Sequence, residues 1–86
     1  MSDIQDVEFK ILSEIRDIEV IARRRGIRIF RQLCRRYGYG NWRKLKGTAI
    51  VEIFEDASIW RVELHWFEAH GIGKRDFKIK RKLEQL

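Results

Sequence analysis

The sequence predicts an α+β domain in which two N-terminal helices pack on a three-stranded antiparallel β-sheet. Three observations predict it. Apolar residues recur at steps of three and four over residues 3–25. A second apolar face of the same period follows from Ile27 to Tyr37. From Thr48 onward the period changes to two, with β-branched and aromatic residues at alternate positions. At 86 residues without a proline or a linker, the chain reads as one domain, 1–86, divided into an acidic amphipathic helix (3–25) and a basic body (26–86).

In the first element, Ser2 or Asp3 is a capping residue. Ile4, Val7, Ile11, Ile15, Ile18, Ile21 and Ala22 form one stripe, widened by Phe9 and Leu12. The stripe is long for so small a domain, so it serves either the core or a second chain, as a homodimer or with another protein. Arg23, Arg24 and Arg25 close this helix, and Gly26 supplies a left-handed end. The second helix carries Ile27, Phe30, Leu33, Cys34 and Tyr37 on its apolar face, with Arg28, Arg31, Arg35 and Arg36 on or beside the other. Gly38 and Gly40 end it.

Thr48 to Phe54 reads as a strand and Glu55 to Ser58 as its turn. The next strand, Ile59 to Phe67, places Trp60, Val62, Leu64 and Trp66 on one face and Arg61, Glu63 and His65 on the other. Glu68 to Gly73 is a loop that lacks the Gly-Lys-Ser/Thr ending of a phosphate loop. Lys74 to Leu83 fits a strand, about Arg75 to Arg81, with Phe77, Ile79, Arg81 and Leu83 opposite Lys78, Lys80 and Lys82. A helix aligning Ile79, Leu83 and Leu86 is the alternative.

Charge narrows the function. Residues 1–22 hold six acidic groups against two basic ones, a balance of −4, while 23–86 hold 17 basic and 7 acidic groups, +10. A basic body attracts polyanions, nucleic acid before an anionic membrane. Arg28, Arg31, Arg35, Arg43, Lys44, Lys46, Lys78, Lys80 and Lys82 are the candidate phosphate-binding residues, RNA ahead of DNA. Trp42, set among Arg43, Lys44 and Lys46, is either a stacking platform for bases or core. An enzyme is the alternative: His65 as general acid or base, Glu63 orienting it, and Arg61 or Lys78 stabilising a phosphorane, a layout suited to RNA cleavage. Solvated cross-strand ion pairs are the plain reading of the same residues.

The remaining chemistry is sparse. His65 and His70 lie five residues apart, on opposite faces of an ideal strand, and make no metal-ligand pattern even with Glu68. No metal or other cofactor is expected. Cys34 is the single cysteine, which excludes an internal disulfide and fits a reducing cytoplasm. No apolar run approaches the ~20 residues of a membrane span, and the acidic start, MSDIQDVEFK, is unlike a signal peptide.

Tyr37-Gly38, Trp42-Arg43-Lys44, Glu63-Leu64-His65-Trp66, Glu68-Ala69-His70-Gly71-Ile72-Gly73 and Lys78-Ile79-Lys80-Arg81 together resemble a group of short bacterial proteins. The group is common in cyanobacteria and usually described as hypothetical. The resemblance spans roughly Gly26 to Leu83 and implies a discrete folded unit without assigning a catalytic residue. Members typically turn the hairpin with Asp-Gly, where this chain has Asp56-Ala57. In outline alone, size, charge and order of elements are also similar to RelE/ParE-type toxins, whose RelE-like members cut mRNA on the ribosome. Those toxins usually begin with a strand, where this pattern places a helix.

Overall fold

A computed structural model describes residues 7–86. It corrects the expected architecture: the described residues are mostly β, a five-stranded antiparallel sheet with one α-helix, where two helices on three strands were expected. The strands are β1 (Phe9–Ile11), β2 (Arg16–Arg23), β3 (Arg43–Ile53), β4 (Ser58–Ala69) and β5 (Gly73–Gln85). A 3-10 turn, Arg24–Gly26, and helix α1, Phe30–Tyr37, lie between β2 and β3.

The first expected helix, 3–25, is absent over its described part. Its stripe was built from isoleucine and valine, whose branched Cβ restricts χ1 in a helix and suits a pleated surface. The spacing also contained a shorter period: Phe9 and Ile11 alternate with exposed Glu8 and Lys10 and pack on the core. Ile4 and the proposed cap at Ser2 or Asp3 lie outside the described residues. Gly26 is not the left-handed residue either; Arg24 takes that conformation at φ 47°. The second helix survives in shortened form, because Ile27 and Ile29 stay extended or irregular ahead of it.

Strand β3 is the hub. β4 runs antiparallel along one side of it, from Arg43↔Glu68 to Ile53↔Ser58. Its other side is shared end to end: β1 pairs with Val51–Ile53 and β2 with Arg43–Thr48. Between β1 and β2 the chain steps past β3, and Ser13 Oγ accepts the Ile50 amide proton at 2.8 Å. The step brings Ile15 and Arg16 so close that a Cβ on Gly47 would lie 2.6 Å from Ile15 Cγ2 and 2.9 Å from the Arg16 carbonyl oxygen.

Alternation on β3 and β4 follows the pattern read from sequence. Leu45, Ala49, Val51 and Ile53 join Val62, Leu64 and Trp66 on the inner face. Ile79 of β5 completes it, with Phe9, Ile11, Ile15, Trp60 and Phe77 around its rim. The 54–57 turn holds Ala57 at φ 57°, at the position where a glycine would meet no steric resistance.

Strand β5 corrects a second expectation. It is longer than Arg75–Arg81 and its alternation is broken three times, with register shifts opposite Arg61/Val62, Glu63/Leu64 and His65/Phe67. Each shift inserts a residue, so parity changes along the strand. Arg81 therefore reaches the outer-face Glu63 at 3.1 Å, while Lys82 lies over the Trp60 ring at 4.5 Å. Bulges also increase twist and curl, and the sheet closes far enough for Val7, Phe9 and Ile11 to share a groove with Phe77.

A second, smaller core sits on the outer face at one end. Leu33 and Cys34 of α1, with Ile27 and Ile29, pack against Phe67 and Ala69 of β4 and against Trp42. Trp42 is fully buried, and its indole N–H donates to the Gly38 carbonyl at 2.9 Å, closing the helix end. It is core and presents no face to a base.

Two substitutions test this account by urea denaturation. Gly47→Ala is expected to destabilise the fold by about 1–3 kcal/mol, because the added methyl meets the Arg16 backbone and the partly buried Ile15 side chain. Ala57→Gly is expected to raise stability by roughly 0.5–1 kcal/mol by relieving a left-handed alanine.

Candidate functional site

The outer face of the sheet is wet and charged, and cross-strand register decides which charges meet. Lys46, His65 and Lys78 lie in one row across β3, β4 and β5. Lys44, Phe67 and Arg75 form the next row toward α1. Ile27, Arg28 and Ile29 enter α1 over this end of the sheet. Between them and the strands is a cleft of about 260 Å3, lined also by Lys44, His65, Phe67, Asp76, Lys78 and Lys80.

Four of these residues are cations: Arg28, Lys44, Lys78 and Lys80. No carboxylate of the described residues lies within 4.0 Å of any of them. Lys44 instead rests 5.9 Å from the Phe67 ring centroid, a cation–π contact that leaves its hydrogen-bonding capacity open. The apolar part of the wall, Ile27, Ile29 and Phe67, belongs to the second core and is held by it. The result is a concave cationic site with an apolar floor, suited to an anion that also carries a flat or apolar group.

The other expected phosphate-binding residues are dispersed. Arg31 and Arg35 line an adjoining groove along α1 that shares Ile27, Arg28 and Ile29 with the cleft. Arg43 donates to Glu68 at 2.7 Å, and Lys46 is 3.5 Å from Glu19, so each already has a counter-charge. Lys82 is at the far end of β5 over Trp60.

Of the expected catalytic residues, His65 and Glu63 are brought together. Their side chains meet at 2.7 Å, Nε2 to Oε2, and Arg81 holds the second carboxylate oxygen at 3.1 Å. With Glu63 ionised, Nε2 is the donor. Nδ1 is shielded from solvent and has no hydrogen-bond partner among the described residues. Arg61 does not join them. It pairs with Glu84 at 2.7 Å and lines a different groove, with Ser13, Asp17 and Thr48. His70 is apart as well, beside Arg24 and Asn41, and no group of three His, Cys, Asp or Glu side chains converges among the described residues.

Sequence reasoning missed Asp76, Phe67, Ile27 and Ile29 as cleft residues. Asp76 did leave a signal, as the single acid in the run KRDFKIKRK. The surface expected for a protein partner also differs, since no helix presents it: Ile18, Val20 and Ile21 are exposed on β2, a strand paired on one side only. No helix of the described residues is long and apolar enough to cross a membrane.

No family model, curated protein or solved structure matches the chain.

The hydrogen bond from His65 lowers the Glu63 carboxyl below its ordinary range; burial opposes the shift and Arg81 adds to it. A carboxyl with a depressed folded-state pKa stabilises the fold above its unfolded-state value, and the contribution is lost as pH falls through the folded value. Glu63→Gln is therefore expected to flatten the acid limb of a stability-versus-pH profile below the ordinary glutamate range, measured by thermal unfolding. An unchanged acid limb would refute that role for the pair.

Proposed function

We propose that the protein binds nucleic acid as a single strand, with the cleft between the start of α1 and β3–β5 as the centre of the interface. The observation that carries this reading is the set of four cations around one apolar-floored cleft, Arg28, Lys44, Lys78 and Lys80, none of which is within 4.0 Å of a carboxylate among the described residues. Cations that a fold leaves unpaired around a concavity repel one another, and a polyanion relieves that repulsion. Arg31 and Arg35 extend the cationic track along α1, which suits a backbone that continues beyond one nucleotide. The cleft, at about 260 Å3, is on the scale of a single nucleotide. The Phe67 ring in its wall offers a π surface for a base.

The measurement is titration of a short mixed-sequence single strand followed by fluorescence anisotropy across a salt series. Release of counterions from about four phosphates gives a slope near −3 when the logarithm of the association constant is plotted against the logarithm of the salt concentration for a single strand. Lys78→Ala is expected to weaken binding and to reduce that slope by about 0.7. Absence of binding at low salt would remove the proposal.

A second reading, cleavage of RNA by His65, rests on the His65–Glu63 hydrogen bond. It requires the imidazole to release Glu63 or turn, because Nε2 is engaged and Nδ1 is covered. Incubation of labelled RNA with the wild type and with His65→Ala separates the readings. Cleavage by the wild type alone supports catalysis; intact RNA in both, with binding retained, leaves binding only.

A further inference from the structure

An acid in a cationic cleft opposes the binding of an anion unless it does something else. Asp76 is the acid of this cleft, and the fold goes to some length to place it. Between the pairs His65↔Lys78 and Phe67↔Arg75, two residues of β5, Asp76 and Phe77, stand opposite Trp66 alone. Phe77 takes the inward place and stacks on Trp66 with centroids 5.2 Å apart. Asp76 is the bulged residue, with a left-handed backbone at φ 59°, a conformation that L side chains resist and aspartate tolerates better than most. Bulges of this kind re-aim one side chain.

The carboxylate is then held. The Tyr37 hydroxyl donates to Oδ1, and Arg36 Nη1 lies 3.7 Å from Oδ2. An ionised carboxylate has roughly four lone-pair positions, so these two contacts leave acceptor capacity unused. The cleft therefore combines unpaired cations, an apolar floor and a positioned acceptor. Phosphate, a base and a sugar hydroxyl match these three features. The hydroxyl that a single-stranded ribonucleotide has and a deoxyribonucleotide lacks is the 2′-OH, which is a donor as well as an acceptor.

We propose that the cleft is a ribonucleotide subsite, in which Asp76 accepts a hydrogen bond from a ribose 2′-hydroxyl while Lys78, Lys80, Lys44 and Arg28 hold phosphate, so that the protein selects RNA over DNA. This inference rests on the nucleic-acid reading above and adds the discriminating group.

The test compares a labelled oligouridine with its 2′-deoxy and 2′-O-methyl counterparts, for the wild type and three variants. A hydrogen bond to a charged acceptor corresponds to about tenfold in affinity. The wild type is expected to bind the ribo-oligomer about tenfold tighter than either of the others, since both lack the 2′-OH donor. Asp76→Gly suits the left-handed backbone and is expected to close that gap by weakening RNA binding, with binding of the deoxy strand unchanged or tighter as a negative charge leaves the cleft. Asp76→Asn keeps an acceptor oxygen and is expected to retain part of the preference. Tyr37→Phe removes the latch without removing the acceptor and is expected to reduce the preference without abolishing it.

Equal binding of all three oligomers by the wild type would overturn the subsite while leaving nucleic-acid binding intact. A shift by one common factor in Asp76→Gly would also overturn it, showing Asp76 to be only the anchor for Tyr37. Displacement of the oligomer by uridine monophosphate at comparable concentration would overturn the polymer as its source of ribonucleotide. Failure of the wild type to bind any oligomer would overturn this inference together with the reading beneath it.

Discussion

Everything in this fold depends on the backbone of β3 being approached from both sides, and at its middle that requires Gly47. Three strands share β3: β4 along one edge and β1 and β2 in turn along the other. The passage from β1 to β2 lies against Gly47, with the Arg16 carbonyl and Ile15 in the space a side chain would occupy. This contact seats Ile15 on the inner core and lets β2 continue along Arg43–Thr48, delivering the chain to Ile27 and α1 at the correct end of the sheet. The cleft is downstream of that placement, since Ile27, Arg28 and Ile29 form its upper wall.

The second constraint is the irregularity of β5. A regular strand would have presented its lysines and apolar residues as two clean rows. Three register shifts instead sort them by position: Lys78 and Lys80 to the cleft, Arg81 to Glu63, and Lys82 to Trp60. The same shifts curl the sheet around its inner face and put Asp76 into a strained backbone state beside the cations. Curvature, charge placement and the position of Asp76 in the cleft thus have a common cause.

How the charges are spent explains why the cleft stands out among several basic areas. Arg43, Lys46, Arg61 and Arg81 each meet a carboxylate across a strand pair, and such partly exposed pairs contribute little to stability, under about 1 kcal/mol each. They do, however, neutralise those stretches of the outer face. At the α1 end, Arg28, Lys44, Lys78 and Lys80 are left without an ion pair among the described residues, and the cleft's carboxylate, Asp76, is engaged by Tyr37 and Arg36. Net charge alone, +6 for the chain, says nothing of this distribution.

The sequence by itself determined the hairpin and its two faces. On β3 and β4 the alternation of Ala49, Val51 and Ile53 and of Val62, Leu64 and Trp66 is read directly, because strand parity is local and the apolar residues have one face to bury. It also determined that the body is cationic, that His65 and Glu63 share a side, and that a basic helix follows Gly26. Only the tertiary structure decided that residues 9–11 and 16–23 are strands. Their isoleucines satisfy a helical and an extended pattern alike, and the open edge of β3, which no local window contains, chose between them. Only the tertiary structure decided which cations are unpaired and that Asp76 joins them. A bulge inverts parity for every residue beyond it, and ion pairing across strands depends on that register, a long-range property that spacing along the chain does not carry.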